Sequence, residues 1–363
     1  MIEIACERLR SLGLTPALAA EAAEMFDDET DSSQLMRLTE VHRETVRVHD
    51  GVEETDARLL PRLVHALADA GTALAVGDWV VVRDEGAGAR RVDARLPPHS
   101  HIVRRDADGR RHPVVSNVDT ALLVMGLDDD FNLRRLERYL ALAQASGVQP
   151  VVVLTKADIA AALPGRLDSC LGALRARIPA RIEWLAVDAT DAAATLALAP
   201  YLGAGQTLVL LGSSGAGKST LTNTLLGAAT QSTGPVREHD GRGKHTTTAR
   251  SLHCLPGGAC VIDTPGLRTL KIDADEATLE AIFDDVQTLA AQCRFRNCRH
   301  RDEPGCAVRD GVDGDRLRNY QKLLREARRD TQGPLERRQQ LAVWKIRAKA
   351  ARSRTKQKRD DGS

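Results

Sequence analysis

Apolar positions change texture three times along the chain. Residues 15–26 (TPALAAEAAEMF) read as a short helix, with Thr15 as its cap and Pro16 in its first turn. An acidic, serine-containing stretch at 27–33 reads as a linker. From Leu38 to about Arg105 the apolar residues fall into short β-like runs. Val41, Val46 and Val48 belong to one; Val76 to Val82 form another, opened by the turn pair Gly77-Asp78. Such closely spaced short strands predict a small β barrel of the OB-fold kind, or another small β domain.

From Asn117 continuous apolar runs alternate with helical segments. The runs are Ala121–Met125, Val151–Leu154, Trp184–Val187, Leu208–Leu211 and Ala259–Ile262, and 132–146 is the clearest helix between them. Runs of this length suit strands buried on both faces of a parallel sheet. The pattern predicts a doubly wound α/β domain with ligands at the carboxyl ends of its strands. After about Asp273 come an acidic helical segment, a cysteine cluster, and an amphipathic helix with Leu317, Tyr320, Leu324 and Ala327 three or four apart. There is no internal repeat.

Composition narrows the picture. Hydrophobic residues make up 42% of the 363 and charged residues 28%, which excludes a wholly disordered or collagen-like chain. No stretch is long and apolar enough for a membrane helix. The first residues mix Glu3, Glu7, Arg8 and Arg10 into apolar positions, so a cytoplasmic protein without membrane contact is expected. Seven scattered cysteines exclude a disulfide scaffold, but three of them lie close together and point to a metal. The net charge of +1 hides an asymmetry: residues 1–36 carry eight acids and two bases, whereas 334–359 carry ten bases and one acid. The basic end predicts a polyanionic partner, and its alternative is a solvated tail. Aromatics at 3% exclude widespread base stacking.

Four motifs carry chemistry. Gly212-Ser213-Ser214-Gly215-Ala216-Gly217-Lys218-Ser219 fits G-x-x-x-x-G-K-[ST], follows the apolar strand TLVLL and opens a helical segment. The glycines let N–H groups turn onto phosphate oxygens, Lys218 reaches the β- and γ-phosphates, and Ser219 ligates Mg²⁺. Asp263-Thr264-Pro265-Gly266 ends another strand, where Asp263 can hold the Mg²⁺ shell and Gly266 can present its N–H to a γ-phosphate. Thr155-Lys156-Ala157-Asp158 ends the strand PVVVL. Asp158 can accept from guanine N1–H and the amino group, which adenine cannot match; alone it could equally be the charge at a helix start. Cys293-x4-Cys298-x-His300-x5-Cys306 supplies three thiolates and an imidazole, a complete tetrahedral shell for one structural Zn²⁺.

The order is informative. In an ordinary GTPase the guanine motif follows the P-loop, whereas here 155–158 precede 212–219. This is a circular permutation, tolerable where domain termini meet at the surface. The fold class is therefore multidomain: a small β barrel (OB-fold), a circularly permuted α/β P-loop GTPase domain, and a small zinc-binding α domain. The expected division is 1–36 as a helical, acidic extension, 37–112 as the barrel, 113–273 as the GTPase domain, 274–333 as the zinc domain and 334–363 as a basic tail.

With those residues quoted, the chain resembles the circularly permuted ribosome small-subunit-dependent GTPase A family (RsgA) over about 37–330. The resemblance implies GTP hydrolysis, binding to the small ribosomal subunit and its rRNA, and a role late in that subunit's maturation. Other assembly factors are possible partners, and a monomer is expected. It further implies that Thr155–Asp158 read guanine, that Gly212–Thr220 cradle phosphate, that Asp263–Gly266 are switch II and that Gly241–Thr248 are switch I. Thr247 is the first choice among the switch I threonines to close on Mg²⁺. Two features stand out. Thr155 replaces the commonest Asn, and Leu267 follows D-x-x-G where many GTPases place a water-orienting Gln. His245, beside the switch threonines, is expected to orient or deprotonate the attacking water once the subunit orders switch I. The competing readings are a nucleotide-gated rRNA-binding scaffold without significant turnover, and a P-loop ATPase or kinase with a zinc lid.

Overall fold

The structure, a computed structural model, describes residues 3–25, 33–105, 111–227, 250–264 and 271–330. The first helices are α1 (Cys6–Arg10) and α2 (Pro16–Met25). Strands β1 (Ser33–Val41), β2 (Thr45–His49), β3 (Glu54–Leu59), β4 (Trp79–Gly86) and β5 (Ala89–Arg95) follow, with α3 (Pro61–Asp69) between β3 and β4. They pair in the order β1-β2-β3-β5-β4, and β4 returns to β1 with Leu35 opposite Val81, so the barrel is closed. Alternation explains its interior: Met36 and Leu38, Val46 and Val48, Val80 and Val82 point inward around Ala57 and Val92. The OB-fold-like barrel of the sequence reading is present, though β1 begins at Ser33, ahead of Leu38.

The opposite face of two of these strands is also buried. Leu35, Trp79 and Val81 pack with Leu9, Leu12, Leu14 and Leu18 in the core shared with the rest of the molecule. Arg37 sits at that junction with 1% of its surface exposed. Its guanidinium donates to the carbonyl of Leu12, to Thr207 Oγ1 at 2.9 Å, to the carbonyl of Asn117 at 2.7 Å and to that of Gly77 at 3.3 Å. It also lies 5.3 Å from the Trp79 ring.

Strands β6 (His101–Arg105) and β7 (Arg111–Ser116) leave the barrel and build a small sheet of their own. The α/β domain then runs β8 (Thr120–Gly126), α4 (Leu133–Ala145), β9 (Gln149–Thr155), α5 (Ala157–Ala161), α6 (Arg166–Arg175), β10 (Glu183–Ala186), α7 (Ala193–Leu198), β11 (Thr207–Leu211), α8 (Lys218–Leu226), β12 (Ser251–Cys254) and β13 (Cys260–Asp263). Strand β14 (Lys271–Ile272) joins the sheet of β6 and β7. The order β10-β9-β8-β11-β13 is parallel throughout, β12 is antiparallel to β13, and β12 meets β1 with Glu40 opposite Ser251.

The apolar runs divide by parity, as a sheet covered on both faces requires. Leu122, Val124, Val151, Val153, Leu208 and Leu210 face one core with α7 and α8. Ala121, Leu123, Val152, Leu154, Val209 and Leu211 face the other, with α4, α6 and the C-terminal helices. The five predicted strands and the helix at 132–146 are all present; Asn132 caps that helix by accepting from the Arg135 N–H at 3.0 Å.

The last helices are α9 (Glu276–Ile282), α10 (Asp284–Ala290), α11 (Ala307–Gly311) and α12 (Gly314–Asp330). Leu317, Tyr320 and Ala327 are buried as their spacing predicts. Helix α12 docks on α4 through charge. Arg316 donates to Glu137 Oε1 at 2.6 Å and to Asp285 at 2.6 and 2.8 Å, Asn319 donates to Glu137 Oε2 at 2.5 Å, and Arg138 pairs with Glu326 at 2.6 Å. Glu137 is fully buried, so its charge is tolerated only because both carboxylate oxygens have donors.

Candidate functional site

Parallel register brings the three nucleotide motifs to one end of the sheet. Thr155 stands opposite Gly126, Leu211 opposite Leu123, and Asp263 opposite Leu210. Residues far apart in the chain thus converge at the carboxyl ends of β9, β11 and β13, where α/β sheets bind ligands.

The phosphate-type loop leaves β11 at Gly212. A Cβ at Gly212 would collide with the Val124 carbonyl, and Gly217 has the left-handed φ of 92°. Helix α8 starts at Lys218 with no side-chain cap, so its first N–H groups remain available to an anion. Lys218 is 7% exposed, and its Nζ donates to the carbonyls of Gly212 at 3.1 Å and Ser213 at 2.7 Å. Burial lowers its pKa, while Asp263 and Asp130 pull it back up. Ser214 and Gly215 are exposed, Ala216 is buried, and Ser219 and Thr220 are half-buried in the first turn.

The segment after β9 touches that loop directly. Thr155 Oγ1 donates to the Ala216 carbonyl at 2.6 Å. Lys156, left-handed at φ 60°, donates from Nζ to the Gly215 carbonyl at 2.8 Å and to Asp128 Oδ2 at 2.5 Å. Ala157 opens α5 with its N–H on the Val187 carbonyl at 3.3 Å. Asp158 follows in the first turn of α5 and is exposed. Thr155 and Lys156 therefore brace the loop, while Asp158 stands open to a ligand.

Two carboxylates in this site were not singled out from the sequence. Asp128 and Asp130 lie just after β8. Ser213 Oγ donates to Asp130 Oδ1 at 2.5 Å, and Arg135 pairs with the same oxygen at 2.5 Å. Burial would raise the Asp128 pKa, but the hydrogen bond from Lys156 and the Asp130 N–H outweigh it, and the net direction is down. The signal available was the acidic run Asp128-Asp129-Asp130 directly after an apolar strand.

Asp263, the last residue of β13, is 1% exposed, and Thr264 Oγ1 donates to the Leu210 carbonyl at 2.7 Å. The Ser219 hydroxyl and the Asp263 carboxylate are hard oxygen donors of the kind Mg²⁺ takes, so the donor set fits that ion. Gly266, Leu267, His245, Thr247, the rest of 241–248 and the basic tail lie outside the described residues.

The four metal-type residues also converge, with all ligand atoms within 4.8 Å of one another. Cys293 Sγ lies 3.6 Å from His300 Nδ1 and 4.0 Å from Cys306 Sγ, and Cys306 Sγ lies 3.5 Å from His300 Nδ1. A tetrahedral zinc with Zn–S of about 2.3 Å and Zn–N of about 2.0 Å separates such atoms by about 3.5–3.8 Å. The residues present therefore fit Zn²⁺. The surrounding chain is built to hold them. His300 is left-handed at φ 58°, its carbonyl accepts from Gln321 of α12 at 2.9 Å, and Glu303 accepts from the N–H groups of Arg299 and Arg301 at 3.0 and 2.9 Å. Those N–H groups hold the Glu303 carboxyl down at about 2.

Comparison with known proteins agrees with this geometry. A family model described as RsgA GTPase matches residues 95–273. The chain is 48% identical over 295 residues to the small ribosomal subunit biogenesis GTPase RsgA of Xanthomonas oryzae pv. oryzae (strain MAFF 311018), covering 79% of each chain. It is 48% identical over 298 residues to the protein of the same name from Xanthomonas axonopodis pv. citri (strain 306), covering 80% of each. Among solved structures, YjeQ from Thermotoga maritima superposes with a TM-score of 0.57 at 23% identity, covering 81% of this chain and 98% of that one. YloQ, described as a circularly permuted GTPase, superposes with a TM-score of 0.55 at 20% identity, covering 84% and 99%. These two likenesses are of fold.

Proposed function

The chain belongs to the RsgA GTPase family, and from that membership we propose that it is a GTP hydrolase of small-subunit biogenesis whose turnover is stimulated by the small ribosomal subunit. It binds the maturing subunit in its GTP form, late in assembly, and leaves after hydrolysis. The observation that carries this reading is the contact of Thr155 and Lys156 with the Gly215–Ala216 segment of the phosphate loop. It joins a guanine reader to a phosphate cradle although their order in the chain is inverted.

Each residue has a part. Asp158 accepts from the guanine edge. Free N–H groups at the start of α8 take phosphate oxygens, and Lys218, already positioned on two loop carbonyls, takes the β- and γ-phosphates. Ser219 and Asp263, with Thr247, would hold Mg²⁺, which neutralises charge on the phosphates when bound. His245 orients the water, because Leu267 cannot. A site that positions water without help turns over at only about 10⁻⁴–10⁻² s⁻¹, which leaves room for stimulation by the subunit. The zinc module, the barrel and the basic tail meet rRNA, mainly through phosphates.

Co-sedimentation with purified small subunits tests the binding cycle. Retention with a non-hydrolysable GTP analogue, release with GDP, and steep weakening as salt rises are expected. Equal retention with GTP analogue, GDP and no nucleotide would instead support an RNA-binding scaffold.

A further inference from the structure

Two cysteines that are not metal ligands face each other across the β12–β13 hairpin. Cys254 and Cys260 are register partners. The turn beyond them is closed by the Leu255 N–H on the Ala259 carbonyl at 2.7 Å and the Gly258 N–H on the Leu255 carbonyl at 2.9 Å. The Cys260 N–H points away from β12, to the Gln206 carbonyl at 2.8 Å. Cys254 and Cys260 are therefore a non-hydrogen-bonded antiparallel pair, the closer of the two pair types. Their side chains share a face, and Cα atoms in such pairs stand about 4.5 Å apart. A disulfide spans Cα separations of about 4.4–6.8 Å.

Their surroundings differ. Cys254 is exposed and Cys260 is buried, with its S–H on the Ser11 carbonyl at 3.5 Å. The neighbouring Cys260 thiol makes Cys254 easier to ionise, which outweighs the partial desolvation of its sulfur. Cys260 is pushed up by Cys254 and by burial. One sulfur can thus meet an oxidant in solution, and the other waits behind it as a thiol.

We propose that Cys254 and Cys260 form a reversible intramolecular disulfide when the protein meets a peroxide. The Cys254 thiolate attacks a peroxide oxygen and the O–O bond breaks. Hydroxide leaves and takes up the proton the thiol released, and Cys254 becomes a sulfenic acid. The Cys260 sulfur then attacks the sulfenic sulfur, and its proton leaves with the sulfenic hydroxyl as water. Two thiols and one hydrogen peroxide give one disulfide and two waters. A dithiol reductant reverses the change. The bond would tie the end of β12 to the start of β13, three residues before Asp263.

The test uses the full-length, zinc-loaded protein and hydrogen peroxide. After treatment, free thiols are alkylated in denaturant and the chain is cut with trypsin. Residues 251–268 contain both cysteines between Arg250 and Arg268, so one peptide reports both. The expected product is that peptide without alkyl groups and lighter by two hydrogens, restored to two alkylated thiols by dithiothreitol. Cys254→Ser should leave Cys260 fully alkylatable after the same treatment. Recovery of both wild-type thiols alkylated would overturn the proposal, as would Cys254 carried on to sulfinic acid beside an alkylated Cys260.

Discussion

The hydroxyl of Thr155 donates to the carbonyl of Ala216 at 2.6 Å, so the end of β9 holds the phosphate loop that follows β11. Both groups are buried. The short hydroxyl reaches the carbonyl because Gly217 lets the loop come close: a Cβ at Gly217 would stand 3.2 Å from Thr155 Oγ1. Replacing Thr155 by Val keeps the shape and leaves the carbonyl without its donor, which costs about 1–3 kcal/mol. Thr155→Val is expected to weaken GTP and GDP binding together by roughly tenfold or more and to lower the melting temperature. Calorimetric titration and thermal unfolding check both.

Asp158 should decide the base and little else. It is exposed in the first turn of α5. Asp158→Ala is expected to keep wild-type stability and to lose most of the preference for GTP over ATP, since sites that pair a substrate's polar edge can discriminate by about 10⁴-fold or more. Competition of GTP and ATP for a fluorescent nucleotide measures it. An unchanged preference would remove Asp158 from the site.

Metal analysis should give one zinc per chain. Cys306 is buried and also accepts from the Arg309 N–H at 3.3 Å, so it caps α11 as well as facing the cluster. Cys306→Ala is expected to lose the zinc and to lower the melting temperature by several degrees. The α4–α12 ion pairs should keep the remaining fold together. Zinc retained at full occupancy in that variant would contradict the four-ligand reading.

Asp78 gives a pH signature. It is fully buried beside Arg95, with Oδ2 accepting from the Ala75 N–H at 2.8 Å, and burial raises its pKa from 3.8 to about 6. A raised carboxyl favours the folded state below 3.8 and loses that advantage as pH rises to about 6. Asp78→Asn does not titrate. Its stability relative to wild type should therefore improve by up to about 3 kcal/mol between pH 4 and pH 7 and stay level above. Denaturant unfolding of both proteins across that range checks the sign, and any acid loss of zinc is common to both.

How much was legible follows from what each element buries. The runs at 121–125, 151–154, 184–187, 208–211 and 259–262 are apolar because both faces of the sheet are covered, and a run of that kind survives in the sequence as a pattern. The helix with Leu317, Tyr320, Leu324 and Ala327 is legible for a different reason, because one face packs on the core and the three-or-four spacing marks it. Residues whose burial depends on a distant partner were not. Glu137 looks like a surface position in α4 until Arg316 and Asn319 arrive from far along the chain. Arg37 reads as the polar side of a strand, yet it is buried at the meeting of barrel, N-terminal segment and sheet. The motifs mark the candidate nucleotide site; its supports, Asp128 and Asp130, show in the sequence only as an acidic run after an apolar strand. The run from Val76 to Val82 predicts a strand, yet Val76 makes an isolated bridge to Val115 and β4 starts at Trp79. The turn at Gly77 is the reason: a Cβ there would strike the Ser116 carbonyl.

The most direct test of the account is GTP hydrolysis by the purified protein, with and without small ribosomal subunits, for wild type and Lys218→Ala. Slow turnover by wild type alone, a large increase with subunits, and loss of that increase in the variant are predicted. Tight subunit binding with no change in turnover, or stimulated hydrolysis that survives Lys218→Ala, would contradict it.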